Sequence, residues 1–104
     1  MIPFTVWHVK FRTDPQSIYK GKCFTLKFTF DDNYPIEAPE VVFIGKIPLH
    51  EHVYSNGFIC ISILYDDWTA AMNVKSVTLS IASMINKGKE LKKPFNDESF
   101  VKKS

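Results

Sequence analysis

Cys60 is the residue of this 104-residue sequence whose type and setting suit covalent chemistry, since a thiol can take up an acyl group and pass it on. A lone cysteine is commonly a small buried hydrophobe. The context of Cys60 argues against that. It follows Ser55, Asn56 and Gly57, a tight-turn signal that brings the chain after it to the surface. Ile59, Ile61 and Ile63 alternate with Cys60 and Ser62, which turns the thiol away from the apolar side. No Lys or Arg lies within five residues of Cys60, so no sequence neighbour strongly stabilises a thiolate. That suits a thiol exchanging acyl groups with other thiols better than a protease nucleophile, which needs an activating histidine. His50, His52 and Cys60 could also ligate a metal, but a closed structural zinc site takes four donors and no fourth stands out. Asp66 and Asp67 either lower the barrier for a nearby amine or are solvated loop charges.

The elements that must position Cys60 lie on both sides of it. Thr5 to Phe11 alternates, with Trp7, Val9 and Phe11 on one face and His8 and Lys10 on the other, the period of a half-buried strand. A second strand is clearer: Phe24, Leu26, Phe28 and Phe30 share a face opposite Cys23, Thr25, Lys27 and Thr29. A third apolar run spans Val41 to Ile44, after a stretch in which Pro35 and Pro39 forbid regular pairing. From Gly45 to Ala71 no period is sustained, and long irregular stretches of this kind are often functional. The period then becomes helical, with Val74, Val77, Ile81, Met84 and Ile85 in one stripe, Asn73 as N-cap and Gly88 as the stop. The chain beyond Gly88 is basic and has no assignable element. An antiparallel meander, a long loop and a covering helix make an α+β domain, one over residues 1–104.

The hydrophobic share of 45% and charged share of 23% exclude a wholly disordered chain, and nine Phe, four Tyr and two Trp suffice for one core. A formal charge of +2 is too weak to imply nucleic acid. Lys87, Lys89, Lys92, Lys93, Lys102 and Lys103 make the C-terminal quarter basic, either as a solvated tail or as a patch for an acidic partner. Two cysteines make no disulfide framework, Met1 to Lys10 lack the basic start and apolar run of a signal peptide, and no apolar stretch spans a bilayer. A cytoplasmic or nuclear location is expected, with no membrane partner and no cofactor.

The ordered motifs resemble those of the ubiquitin-conjugating enzymes. In that family a His-Pro-Asn triplet, a turn, Ile-Cys-Leu and a Trp follow one another at fixed spacing. Here stand His50-Glu51-His52, Ser55-Asn56-Gly57, Ile59-Cys60-Ile61 and Trp68, with His52 eight before and Trp68 eight after Cys60. Tyr19-Lys20-Gly21, Tyr34-Pro35 and Pro39 match the family's second strand and following loop. His52, Ser62, Ile47-Pro48 and the stretch from Pro94 to Val101 are similar to the W-type branch, which modifies protein N-termini. Glu51 in place of the usual Pro fits neither branch.

The resemblance implies a meander packed on a central helix. It further implies that Cys60 accepts ubiquitin from the activating enzyme and passes it to a substrate amine. His52 takes the position of the oxyanion or loop-bracing Asn, as donor, base or loop support, and His50 organises the loop. Ser62 and Asp97 (or its neighbour Asn96) are the further site residues it implies, and a RING-type ligase would grip Ile36, Ala70 and Ala71. The family's helix before the first strand and its C-terminal helices have no counterpart in the sequence. A core cut short at both ends, poor at charging with ubiquitin and prone to self-association, is therefore expected. The alternative is a catalytically impaired variant that binds ubiquitin or a partner.

Overall fold

A computed structural model describes residues 5–103, with the Lys103 side chain outside it. Expectations about the segment ahead of the first strand concern residues 1–4, which lie outside the described residues, as does Ser104. Three antiparallel strands, β1 (Thr5–Arg12), β2 (Cys23–Phe30) and β3 (Glu40–Ile44), pair in the order β1-β2-β3. Val9 faces Leu26 across the first pair and Leu26 faces Phe43 across the second, so the apolar phases of all three strands coincide. One face is therefore dry. Phe24, Leu26 and Phe28 are buried there, while Thr25 and Lys27 between them stay partly exposed. The phase predicted for β1 holds, but Trp7 at its outer end is 52% exposed, with its ring edge against Phe30.

Helix α1 (Val74–Asn86) closes the dry face, burying Val77, Ile81 and Ile85 in the same core as Leu26, Phe28 and Phe43. Each such side chain contributes roughly 1.5–3 kcal/mol by leaving water. Asn73 caps the helix as expected, and Ser76 completes a reciprocal box: the Ser76 N–H donates to the Asn73 side chain and the Asn73 N–H to the Ser76 hydroxyl, both at 2.9 Å. The Asn86 side chain at the other end accepts the Asp14 N–H at 2.8 Å, fixing α1 against the turn between β1 and β2.

The segment after Gly88, unassigned by periodicity, ends in a short helix, α2 (Asp97–Lys103). The irregular stretch is held from within. The Phe43 N–H donates to the Gly57 carbonyl at 2.9 Å, the Tyr54 N–H to the Phe58 carbonyl at 2.8 Å, and Val53 bridges Ile59. Val53 and Ile59 thereby enter the core although neither sits in a regular strand.

Candidate active site

Cys60 emerges where the buried backbone turns outward. Ile59 is 1% exposed and Cys60 is exposed, as the alternation required. The Cys60 N–H donates to the His52 carbonyl at 2.8 Å. The His52 N–H in turn donates to Nδ1 of His50 at 2.9 Å. Because Nδ1 accepts, the proton of the neutral ring resides on Nε2, which donates to the Met84 carbonyl at 3.2 Å. Three hydrogen bonds thus run from the last turn of α1 to the backbone of Cys60. His50 is 4% exposed, and burial pushes its pKa down; the Met84 bond opposes this.

The thiol opens into a groove of about 660 Å³ walled by His52, Tyr54 and the strap from Lys92 to Asn96. Tyr54 donates to the Asn96 side chain at 3.2 Å and stacks on Phe100 of α2, ring centroids 3.8 Å apart. Of the adjacent polar residues Asn96 and Asp97, the groove takes Asn96. The Asp97 side chain is buried and accepts both the N–H and the hydroxyl of Ser55, outside the groove walls. The His52 ring is half-exposed, with Nε2 3.9 Å from the Glu51 carboxylate. That carboxylate also lies 3.4 Å from Nζ of Lys92, which is equally close to Glu90. These bonds to Glu51 and then Glu90 push the Lys92 pKa up.

Ser62 is exposed and opens a 3-10 turn (Ser62–Leu64) beyond the groove, its carbonyl accepting from the N–H groups of Tyr65 and Asp67. The Tyr65 hydroxyl donates to the Ile59 carbonyl at 3.2 Å, and burial, then the neighbouring Cys60, raises its pKa. Asp66 and Asp67 are exposed in the next loop. Trp68 is half-buried, and its indole N–H donates to the Pro35 carbonyl at 2.9 Å. That bond ties together the two loops that carry Ile36, which is 79% exposed, and the exposed Ala70 and Ala71. Among the described residues, no three His, Cys, Asp or Glu side chains gather as metal donors. No described helix is long and apolar enough to cross a membrane.

The family profile described as "Ubiquitin-conjugating enzyme" matches residues 3–103. This chain belongs to the ubiquitin-conjugating enzyme family. It is 53% identical over 87 residues to ubiquitin-conjugating enzyme E2 W of Caenorhabditis elegans, a match covering 83% of this chain and 57% of the relative. It is 46% identical over 99 residues to probable ubiquitin-conjugating enzyme E2 W-A of Danio rerio, covering 94% of this chain and 66% of the relative. The crystal structure of ubiquitin conjugating enzyme E2 UbcA1 from Agrocybe aegerita superposes with a TM-score of 0.93 at 35% identity, over 97% of this chain and 74% of that one. The chain thus spans about 57% of the length of its nematode relative.

Within this family fold, sequence reasoning named Asn96 on the far wall of the groove, as the neighbour of Asp97, but missed the rest of that wall. Lys92 and Phe95 reach Cys60 only through the path of the strap after α1, which no local period encodes. The available signal was the basic, proline-bearing stretch itself.

Proposed function

We propose that this chain accepts ubiquitin as a thioester on Cys60 from the activating enzyme and transfers it to a substrate amine, favouring the α-amine of protein N-termini. The reading is carried by one arrangement: an exposed thiol whose backbone N–H is fastened to the carbonyl of His52, in a groove that the His52 side chain also lines. In the transfer, the amine nitrogen attacks the thioester carbonyl and an oxyanion develops. The C–S bond then breaks, the Cys60 thiolate leaves and an amide forms, with the amine proton passing to a base or to water. His52 can donate to the oxyanion or take that proton. An α-amine has a pKa of about 8 against about 10.4 for lysine, so near pH 7 it is partly neutral and needs less help.

The exposed Ile36, Ala70 and Ala71 support docking of a RING-type ligase on the loops joined by Trp68. A reducing cytoplasmic or nuclear compartment suits the two free cysteines, Cys23 and Cys60.

The decisive experiment combines the protein with activating enzyme, ATP and ubiquitin and resolves it on a non-reducing gel. A thiol-sensitive adduct that Cys60→Ser abolishes is expected. The charged form should then discharge faster onto a peptide α-amine than onto free lysine. No adduct, or rapid discharge onto free lysine, would sink the corresponding half of the reading.

A further inference from the structure

Glu51, His52 and Lys92 stand between two clefts. One is the groove of Cys60, with Lys93 on its wall. The other, about 460 Å³, opens on the far side of His52 over the end of α1, between Lys87, Lys89 and Glu90. Together the walls carry four cations, Lys87, Lys89, Lys92 and Lys93, against two carboxylates, Glu51 and Glu90. Both carboxylates engage the same lysine, Lys92, at 3.4 Å. Lys87, Lys89 and Lys93 are exposed and form no ion pair among the described residues. The helix macrodipole accounts for a cation at Lys87, which caps α1, but not for Lys89 or Lys93. The basic run of the sequence thus divides. Lys102 pairs with Glu98 on α2, while the unpaired members line the approaches to Cys60.

We propose that the joined clefts form the acceptor-binding site and select polypeptides with acidic residues just after the α-amine. The inference rests on the proposed transfer from Cys60 and names its substrate class. An amine placed at the Cys60 thioester belongs to a chain that leaves in one direction, and each extended residue advances about 3.3 Å. Its next few residues therefore run along a cleft wall that carries Lys93 in one direction or Lys87 and Lys89 in the other. Carboxylates there meet cations free of competing partners. A lysine acceptor enters the same surplus of positive charge with its own ammonium charged, whereas an α-amine is partly neutral.

The test uses two short peptides with free α-amines, acidic or basic in the positions after the first, titrated into isotopically labelled protein and followed by backbone amide shifts. Shifts confined to residues 50–54, 60, 84 and 87–96 are expected with the acidic peptide alone. They should weaken severalfold between about 0.05 and about 0.5 M salt. In the triple variant Lys87→Glu, Lys89→Glu, Lys93→Glu the response should pass to the basic peptide, with a preference ratio changed roughly tenfold or more. Shifts elsewhere, equal response to both peptides, or an unaltered preference in the variant would overturn the proposal. So would equal binding of a single-stranded oligonucleotide of matched charge, which would mark a general anion surface. Discharge of the Cys60 thioester onto the two peptides separates the two readings. Selective binding without α-amine discharge defeats the transfer reading alone, and discharge without preference defeats the acidic-acceptor site alone.

Discussion

The Asp97 carboxylate accepts two hydrogen bonds from one residue, Ser55: its N–H at 2.7 Å and its hydroxyl at 2.9 Å. Asp97 opens α2, where an anion also suits the helix dipole, and Ser55 begins the turn that delivers Cys60. The tie therefore fastens the strap over the groove to the loop beneath it, and the Tyr54–Phe100 stack continues the same seam.

Asp97→Ala should cost about 2–3 kcal/mol, because it removes two charge-assisted bonds and strands a half-buried N–H. In a domain of this size the midpoint of thermal unfolding should fall by about 10 °C. Ser55→Ala, which keeps the N–H bond, should lose about 1 kcal/mol. A thermal melt of Asp97→Ala matching the parent would show that the tie contributes nothing.

His50 makes stability depend on pH. Burial holds its pKa below the ordinary imidazole value of about 6.5 and the nearby His52 ring adds to that, while the Met84 carbonyl and the Glu51 carboxylate oppose it. The unfolded chain therefore takes up a proton near pH 6.5 that the folded chain still refuses. The contribution of the neutral ring is complete above about pH 6.5 and is lost as pH falls from there toward the lowered folded value, by at most about 1.4 kcal/mol per pH unit. Urea unfolding at about pH 7.5, 6.5 and 5.5 should show this decline, and His50→Asn should flatten it. An unchanged slope in His50→Asn would assign the pH dependence to other groups.

Two glycines separate steric collision from backbone preference. Gly57 has φ +95°, and an added Cβ would run into the Phe43 carbonyl oxygen, which backbone pairing holds in place. Gly45 has φ +70° with nothing within 4 Å of that position. Gly45→Ala should thus cost about 1–2 kcal/mol, the left-handed penalty alone. Gly57→Ala should cost about 3 kcal/mol or more, a large share of a typical domain's stability. Side-by-side chemical denaturation checks the ordering, and equal losses would contradict it.

What was legible in the sequence was local. The alternation of Phe24, Leu26 and Phe28 and the stripe of Val77, Ile81 and Ile85 name the core, because period alone decides which side chains share a face. The turn before Cys60 likewise announces an exposed thiol. The bonds that position this thiol join residues far apart in the chain. His50 reaches Met84 across 34 positions and Ser55 reaches Asp97 across 42, and no pattern within either segment signals its partner. Helix α2 escaped because seven residues do not complete the two turns a stripe needs. The lysine run could not be divided by sequence either, since the Lys102–Glu98 pair appears only once that segment is helical.

His52 offers the cleanest separation of scaffold from chemistry. Its structural work is done by backbone atoms: the N–H bonds His50 and the carbonyl holds Cys60. Its ring is half-exposed, 3.9 Å from the Glu51 carboxylate in a surface contact worth less than about 1 kcal/mol, and beside the His50 ring, with centroids 5.6 Å apart. On the proposed transfer, His52→Ala should therefore melt within about 0.5 kcal/mol of the parent and charge with ubiquitin to the same extent as the parent. Discharge onto a peptide α-amine should nevertheless slow by about 100-fold or more, the range for losing one oxyanion donor or proton acceptor. Single-turnover discharge of the preformed thioester isolates that step from charging. Parent-like discharge would reduce His52 to a backbone support. A variant that fails to charge would instead locate the role of the ring in the encounter with the activating enzyme.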